Sequence, residues 1–82
     1  GIEGIVSAGA VVSFVYAGDS DDDAETYLIG HMEERREGIE LMSPKAPLGG
    51  ALMGRTIGET VEYEAPNGNK LSVRILSVEH YA

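Results

Sequence analysis

Short apolar stretches, separated by glycine, proline and acidic residues, run along most of the chain. Residues 11–17 (VVSFVYA) and 25–32 (ETYLIGHM) are rich in β-branched and aromatic side chains, which predicts two strands. The even-numbered side of the first strand, which includes Phe14, is expected to face the core. Residues 18–24 (GDSDDDA) lie between the strands, and closely spaced like charges stay solvated, so they predict an acidic hairpin tip.

The second half of the chain contains three further segments with strand patterns. Strands are predicted at 38–42 (GIELM), at 59–65 (ETVEYEA), where apolar and polar residues alternate, and at 70–81. An Asn-Gly pair in the connection between the last two strands is a strong signal for a hairpin. Within the last strand the apolar positions change parity between Ile75 and Leu76, which predicts a β-bulge or a strand that crosses the sheet.

One short helix is predicted between these strands. Residues 43–48 (SPKAPL) contain two prolines, and Pro47 suits the first position of a helix that ends at Gly54. The paired glycines at 49 and 50 weaken such a helix by about 1 kcal/mol each relative to alanine, so packing of Leu48, Leu52 and Met53 must support it. The elements together predict an α+β fold with an antiparallel sheet of about five strands.

The length of 82 residues allows one domain. Residues 1–10 are small and weakly patterned, and they are interpreted as a linker or N-terminal extension of a domain at residues 11–82. Because the chain begins with Gly1 rather than Met, the natural protein is expected to be longer. The absence of cysteine excludes disulfides, thiol catalysis and cysteine-bound zinc, and it fits a cytoplasmic protein.

The charge narrows the range of partners. The formal net charge is −8, from 14 acidic residues against 6 Lys and Arg. Nucleic acids and anionic membranes both attract basic surfaces, so no direct DNA contact and no membrane binding are expected. No apolar run approaches the ~20 residues of a membrane span, and no signal peptide is recognisable. A protein partner with a basic or apolar patch suits this composition better.

The acidic tip is the first candidate for chemistry. Asp19, Asp21 and Asp23 match the first three ligand positions of an EF-hand loop. The glycine and the glutamate that this loop requires are replaced by Ala24 and Gly30, so the interpretation is a solvated tip. A metal-dependent hydrolase that uses these acids is retained as a hypothesis to test.

Other catalytic and ligand-binding motifs are incomplete. Neither His31 nor His80 has a second His or Cys at the spacing of a metal site. Ser43 precedes a proline and is not in a nucleophile-elbow sequence, and Gly54 is followed by Arg55 rather than the lysine of a phosphate-binding loop. No catalytic residue, metal ligand or cofactor is therefore assigned.

The proline-bounded segment carries a family resemblance. The sequence SPKAPLGGALMGRTIGETVEYEAPNG, followed by KLSVRILSVEHY, resembles the C-terminal domain of the bacterial Gre transcript-cleavage factors. The upstream sequence VVSFVYAGDSDDDAETYLIG resembles the first hairpin of that domain. In residues 43–81, the positions that match the family pattern are Pro47, Leu48, Ala51, Leu52, Gly54, Gly58, Glu59, Val61, Pro66, Gly68, Val78 and Glu79.

The resemblance implies an FKBP-like sheet with one short helix and a role in transcription elongation. In this family the domain docks on RNA polymerase at the rim of the secondary channel, while a separate N-terminal coiled coil enters the channel and its tip acids promote cleavage of backtracked RNA. The resemblance therefore implies no enzymatic activity in this chain. The polymerase-binding residues that it implies are Ser43, Pro44, Lys45, Ala46, Pro47, Leu48 and Leu52.

Two alternatives remain open on the sequence. The family often has Asp-Ser-Pro where this chain has Lys45, Ala46 and Pro47, so a secondary-channel regulator that inhibits polymerase is one alternative. An FKBP-like prolyl isomerase is the other. Its site would be lined by aromatic residues, and this chain has one Phe, no Trp and four Tyr.

Overall fold

The computed structural model describes residues 4–80. These residues form five strands, one α-helix and two short 3-10 turns, the acidic turn at Asp21–Asp23 and a second turn at Met32–Glu34. The strands and the helix are β1 (Ala10–Tyr16), β2 (Glu25–Ile29), β3 (Glu40–Met42), α1 (Pro47–Leu52), β4 (Thr60–Glu64) and β5 (Lys70–His80). The predicted α+β fold of about five strands and one short helix is confirmed.

The strands form a single sheet in the order β3-β2-β1-β5-β4. The pairs β1–β2, β1–β5 and β4–β5 are antiparallel, but β3 pairs parallel to β2, with Tyr27 opposite Glu40. The expectation of an antiparallel sheet is therefore wrong at this pair, and the sheet is mixed. The ten residues between β2 and β3 are long enough for the chain to run back from the end of β2 toward its start. β3 therefore begins beside the middle of β2 and runs in the same direction.

One face of the sheet carries the core. The predicted inward side of β1 is confirmed, because Val12 and Phe14 are fully buried. α1 packs on the same face, and the remaining residues of the core cluster are Val6, Ala10, Ile29, Leu48, Leu52, Val61, Val73, Ile75 and Val78. Val61 is buried and Tyr63 half-buried, as the alternation in β4 predicts.

The opposite face of the central strands is also partly covered, which the alternation along β1 does not predict. Val11 and Val15 are 6% and 3% exposed but lie outside the main core cluster. Val15 lies opposite Arg74 on β5, and the guanidinium of Arg74 donates to Asp21 Oδ1 at 2.9 Å. Val15 and Arg74 therefore lie on the same face of the sheet, opposite the main core.

The predicted irregularity in β5 is confirmed as a β-bulge. Ser13 of β1 lies opposite Ser77, whereas the next residue, Phe14, lies opposite Ile75, so Leu76 has no partner in the ladder. The extra residue lets both Ile75 and Val78 point inward despite their opposite parity, and they are 0% and 8% exposed. Both halves of the long strand thus contribute to one core.

The segment before β1 packs against the end of the α1 region. The Val6 amide donates to the Arg55 carbonyl at 2.8 Å, and the Gly54 amide donates to the Val6 carbonyl at 2.8 Å. Val6 is 1% exposed and belongs to the core, although residues 1–10 were expected to form a linker or extension. The boundary at residues 11–82 stays a prediction, and the predicted end of β5 at Tyr81 lies outside the described residues.

Candidate functional site

The residues that precede α1 form a rigid turn, the Ser43 loop (Ser43–Ala46). The Ser43 Oγ accepts a hydrogen bond from the Lys45 amide at 3.0 Å, and the Ser43 carbonyl accepts one from the Ala46 amide at 3.0 Å. Pro44 suits this geometry because its ring presets the backbone angle at the second position of a turn. The side chain of Lys45 is therefore presented to solvent from a backbone with two local hydrogen bonds.

The paired glycines of α1 hold this loop against the helix. A Cβ atom on Gly49 would lie 2.1 Å from the Ser43 carbonyl oxygen, and one on Gly50 would lie 3.1 Å from the Pro44 carbonyl oxygen. Only glycine allows the backbone of the loop to approach the helix this closely at Gly49. The sequence shows two glycines in a helix that begins at a proline, but it does not show that these glycines contact the Ser43 loop.

The structure separates the seven predicted binding residues into two groups. Leu48 and Leu52 are 6% and 0% exposed, so they support the segment from the core and are not accessible to a partner. They lie one helical turn apart and therefore share the buried side of α1. The other five lie at the surface: Ser43, Lys45 and Pro47 are exposed, and Pro44 and Ala46 are half-buried.

The chain leaves α1 through a second ordered loop, to which the sequence assigned no binding role. Gly54 has a φ of 82°, and a large apolar side chain is exposed on each side of it in the sequence, Met53 at 36% and Ile57 at 53%. Glu59 fixes this loop, since one carboxylate oxygen accepts from the Thr56 amide at 2.6 Å. The sequence signal was available, because Thr-x-x-Glu is a pattern in which a carboxylate binds a nearby backbone amide.

The acidic tip is not organised as a metal site. The Ser20 hydroxyl accepts from the Asp22 amide at 3.2 Å, and Asp21 pairs with Arg74. Within residues 4–80, no group of three or more His, Asp or Glu side chains is arranged to hold a metal ion.

The two histidines are placed at different points. The ring of His80 contacts the Ile5 carbonyl at 2.9 Å, and His31 precedes the second turn, where its amide donates to Glu34 at 2.5 Å.

Within residues 4–80, every helix is too short or too polar to cross a membrane.

Four aromatic side chains lie together on or beside the core cluster. Phe14 stacks on Tyr27 with a centroid distance of 5.7 Å and meets Tyr16 edge-on at 5.9 Å. The hydroxyls of Tyr16 and Tyr63 share a hydrogen bond of 3.0 Å. Burial first, and then this hydrogen bond, raise the pKa of Tyr16 above the ordinary tyrosine value. Burial and the neighbouring Glu25 raise the pKa of Tyr27 in the same direction.

The fold and the surface loop together indicate that this is a binding domain. A small acidic α+β domain presents a pre-ordered loop at its surface, and within its described residues no cluster of side chains is arranged to hold a metal ion. A pre-ordered surface loop suits binding to another macromolecule, because it loses less conformational entropy when it binds. A family described as "Transcription elongation factor, GreA/GreB, C-term" matches residues 2–80. The chain belongs to this family.

Individual relatives agree with this assignment. The chain is 42% identical over 79 residues to the transcription elongation factor GreA of Streptomyces coelicolor, covering 96% of this chain and 47% of the relative. It is 45% identical over 80 residues to GreA of Rhodococcus erythropolis, covering 95% and 48%. The chain thus spans about half the length of these curated relatives.

Solved structures show the same fold. A GreA/GreB elongation factor from Nitrosomonas europaea superposes with a TM-score of 0.71 at 26% identity, over 98% of this chain and 63% of that one. Gfh1 from Thermus aquaticus superposes with a TM-score of 0.70 at 22% identity, over 99% and 51%, which is a similarity of fold alone.

Proposed function

We propose that this domain docks on bacterial RNA polymerase, at the rim of the secondary channel, through the Ser43 loop and Pro47. Leu48 and Leu52 act from within the core by fixing the helix against which the loop rests. The observation that carries the proposal is the close contact between the loop backbone and Gly49, because it keeps the exposed residues in one arrangement before binding. A pre-ordered surface loses less conformational entropy when it binds.

In the complete protein, docking of this domain would position an N-terminal segment to enter the secondary channel of the polymerase. The names of the relatives identify them as transcription elongation factors, and this chain covers about half of their length. The proposed role is to help rescue backtracked complexes, with RNA cleavage promoted by an N-terminal coiled coil outside this chain. The domain itself needs no catalytic residue or cofactor for that role, and it would act in the cytoplasm with the polymerase.

The direct test is binding of the isolated domain to core RNA polymerase from Streptomyces coelicolor. The domain is immobilised, and polymerase binding is measured at low salt, where electrostatic attraction is strongest. Ala46→Arg places a bulky side chain on the Ser43 loop, whereas Ala24→Arg makes the same change in charge beside the acidic turn. We expect Ala46→Arg to weaken binding about tenfold or more and Ala24→Arg to leave it nearly unchanged.

Both variants must first show the thermal stability of the wild-type domain. Absence of wild-type binding at low salt would refute the proposed docking. Equal binding by wild type and Ala46→Arg would show that polymerase uses another surface of the domain.

A further inference from the structure

The stretch of sequence that contains the Ser43 loop differs in charge from the rest of the chain. Residues 41–54 (LMSPKAPLGGALMG) contain no acidic residue, although the whole chain has 14. Their single charged side chain is Lys45. The Ser43 loop and α1 therefore belong to a charge-depleted stretch of the chain with one cation, in a domain of net charge −8.

Lys45 takes part in no ion pair with any other residue of the described chain. By contrast, Arg74 is bound to Asp21 at 2.9 Å, and Arg55 lies 3.5 Å from Glu59. Lys45 is exposed, and its immediate neighbours, Pro44 and Ala46, are apolar and half-buried. Its ammonium group is thus available to an incoming group without first breaking a contact in the domain.

The backbone at Lys45 is already ordered. Its amide is bound by the Ser43 hydroxyl at 3.0 Å, and the carbonyls of Ser43 and Pro44 rest against the two glycines of α1. Only the four-carbon side chain has to be ordered when a partner arrives. Because the backbone is fixed and the side-chain charge of Lys45 is unpaired within the described residues, this position suits pairing with one opposite charge on a partner.

We infer that the Ser43 loop recognises an apolar surface of the partner that carries one carboxylate, and that Lys45 pairs with that carboxylate. The inference rests on the proposed docking to polymerase and adds the chemistry of the polymerase surface. The net charge of −8 opposes the approach of an acidic partner at longer range. Within residues 41–54 the attraction for a carboxylate comes from Lys45 alone, so Lys45 selects the register in which the two surfaces meet.

The test uses substitutions at Lys45 with Lys70 as the matched control. Lys70 begins β5, which lies three places from β3 in the sheet order, is exposed, and also makes no ion pair within the described residues. Lys45→Glu and Lys70→Glu change the net charge of the domain equally. Binding of each variant to Streptomyces coelicolor core RNA polymerase is measured across a series of salt concentrations.

We expect Lys45→Ala to weaken binding about two- to fivefold, as for an exposed ion pair, and Lys45→Glu to weaken it about tenfold or more, because repulsion replaces attraction. Lys45→Arg keeps the positive charge and should bind within about twofold of wild type. Lys70→Glu should change binding by less than about twofold, since its charge lies outside the docked surface. The loss caused by Lys45→Glu should shrink as salt rises.

The outcomes separate this inference from the proposal beneath it. If the wild-type domain does not bind polymerase, the docking proposal fails. If the wild-type domain binds and Lys45→Glu binds equally well, or loses no more than Lys70→Glu, docking stands and the carboxylate partner is refuted. Tighter binding by Lys45→Glu would indicate a basic polymerase surface, which also overturns the inference.

Discussion

Replacing Gly49 by alanine tests whether the contact between the Ser43 loop and α1 holds this part of the domain together. Alanine in place of glycine normally stabilises a helix by about 1 kcal/mol. At Gly49 the new Cβ atom would lie 2.1 Å from the Ser43 carbonyl oxygen and 3.3 Å from Met42 Cγ. The first distance is more than about 1 Å shorter than ordinary contact, so the helix and the loop must separate.

The expected magnitude follows from two opposing effects. Overpacking of a tightly packed site costs about 1–3 kcal/mol and sometimes more, and the obstacle here is backbone, which cannot rotate away as a side chain can. A backbone obstacle puts the cost at the upper end of that range, about 2–3 kcal/mol, and after the helical gain of about 1 kcal/mol is subtracted, Gly49→Ala should lower the free energy of unfolding by about 1–2 kcal/mol. For a domain of this size that corresponds to a fall in Tm of about 5–15 °C.

Gly50→Ala is the matched control, because it makes the same substitution at the next position of the same helix. Its Cβ atom would lie 3.1 Å from the Pro44 carbonyl oxygen, so a shift of a few tenths of an ångström suffices and the helical gain offsets it. We expect its stability within about 0.5 kcal/mol of wild type, measured by urea denaturation with both variants analysed at a common m-value. A Gly49→Ala variant as stable as Gly50→Ala would refute the close contact.

Three further predictions follow from the core, the tyrosines and the acidic turn. Leu52→Ala should lower the unfolding free energy by about 2–5 kcal/mol in urea denaturation, while Met53→Ala at the exposed neighbouring position should cost less than about 1 kcal/mol; equal costs would contradict the inward placement of Leu52. Because the folded state raises the pKa of Tyr16, its stabilising contribution is complete below pH 10.0, the ordinary tyrosine value, and declines above it. Wild type should therefore lose stability more steeply than Tyr16→Phe above pH 10.0, by up to about 1.4 kcal/mol per pH unit, and equal slopes would exclude the effect. Millimolar Ca²⁺, Mg²⁺ or Mn²⁺ should leave the Tm unchanged in a thermal-shift titration, since Asp21 already pairs with Arg74; an increase of several degrees that Asp22→Asn and Asp23→Asn abolish would restore a metal site at the acidic turn.

The parts of the fold that follow from local rules could be predicted from the sequence. The bulge at Leu76 follows from the change of parity along β5, and the start of α1 follows from the fixed backbone angle of Pro47. The hairpin between β4 and β5 follows from Asn67-Gly68, where Gly68 has a φ of 89° and the Asn67 side chain accepts from the Asn69 amide. Each feature is determined by residues a few positions apart.

The parts that were missed depend on residues that are distant in the chain. β3 pairs parallel to β2 because of the path taken by the intervening connection, and no pattern within either strand specifies that path. The hydrogen bond between Arg74 and Asp21 beside Val15 joins residues that are 53 positions apart. The requirement for glycine at position 49 likewise depends on the Ser43 carbonyl outside the helix. The sequence shows only that this glycine weakens the helix, not that the carbonyl leaves no room for a Cβ atom.

The arrangement of α1 restricts how this segment can bind a partner. Leu48 and Leu52 occupy the side of the helix that faces the core, and Gly49 occupies the side that faces the Ser43 loop. Neither leucine can serve as an apolar anchor without unfolding the domain, although the sequence alone suggests that use. The accessible surface is left with small apolar side chains around a single cation, Lys45. Binding through this segment should therefore respond to salt and to the charge at residue 45, and leucine substitutions should weaken it only to the extent that they unfold the domain.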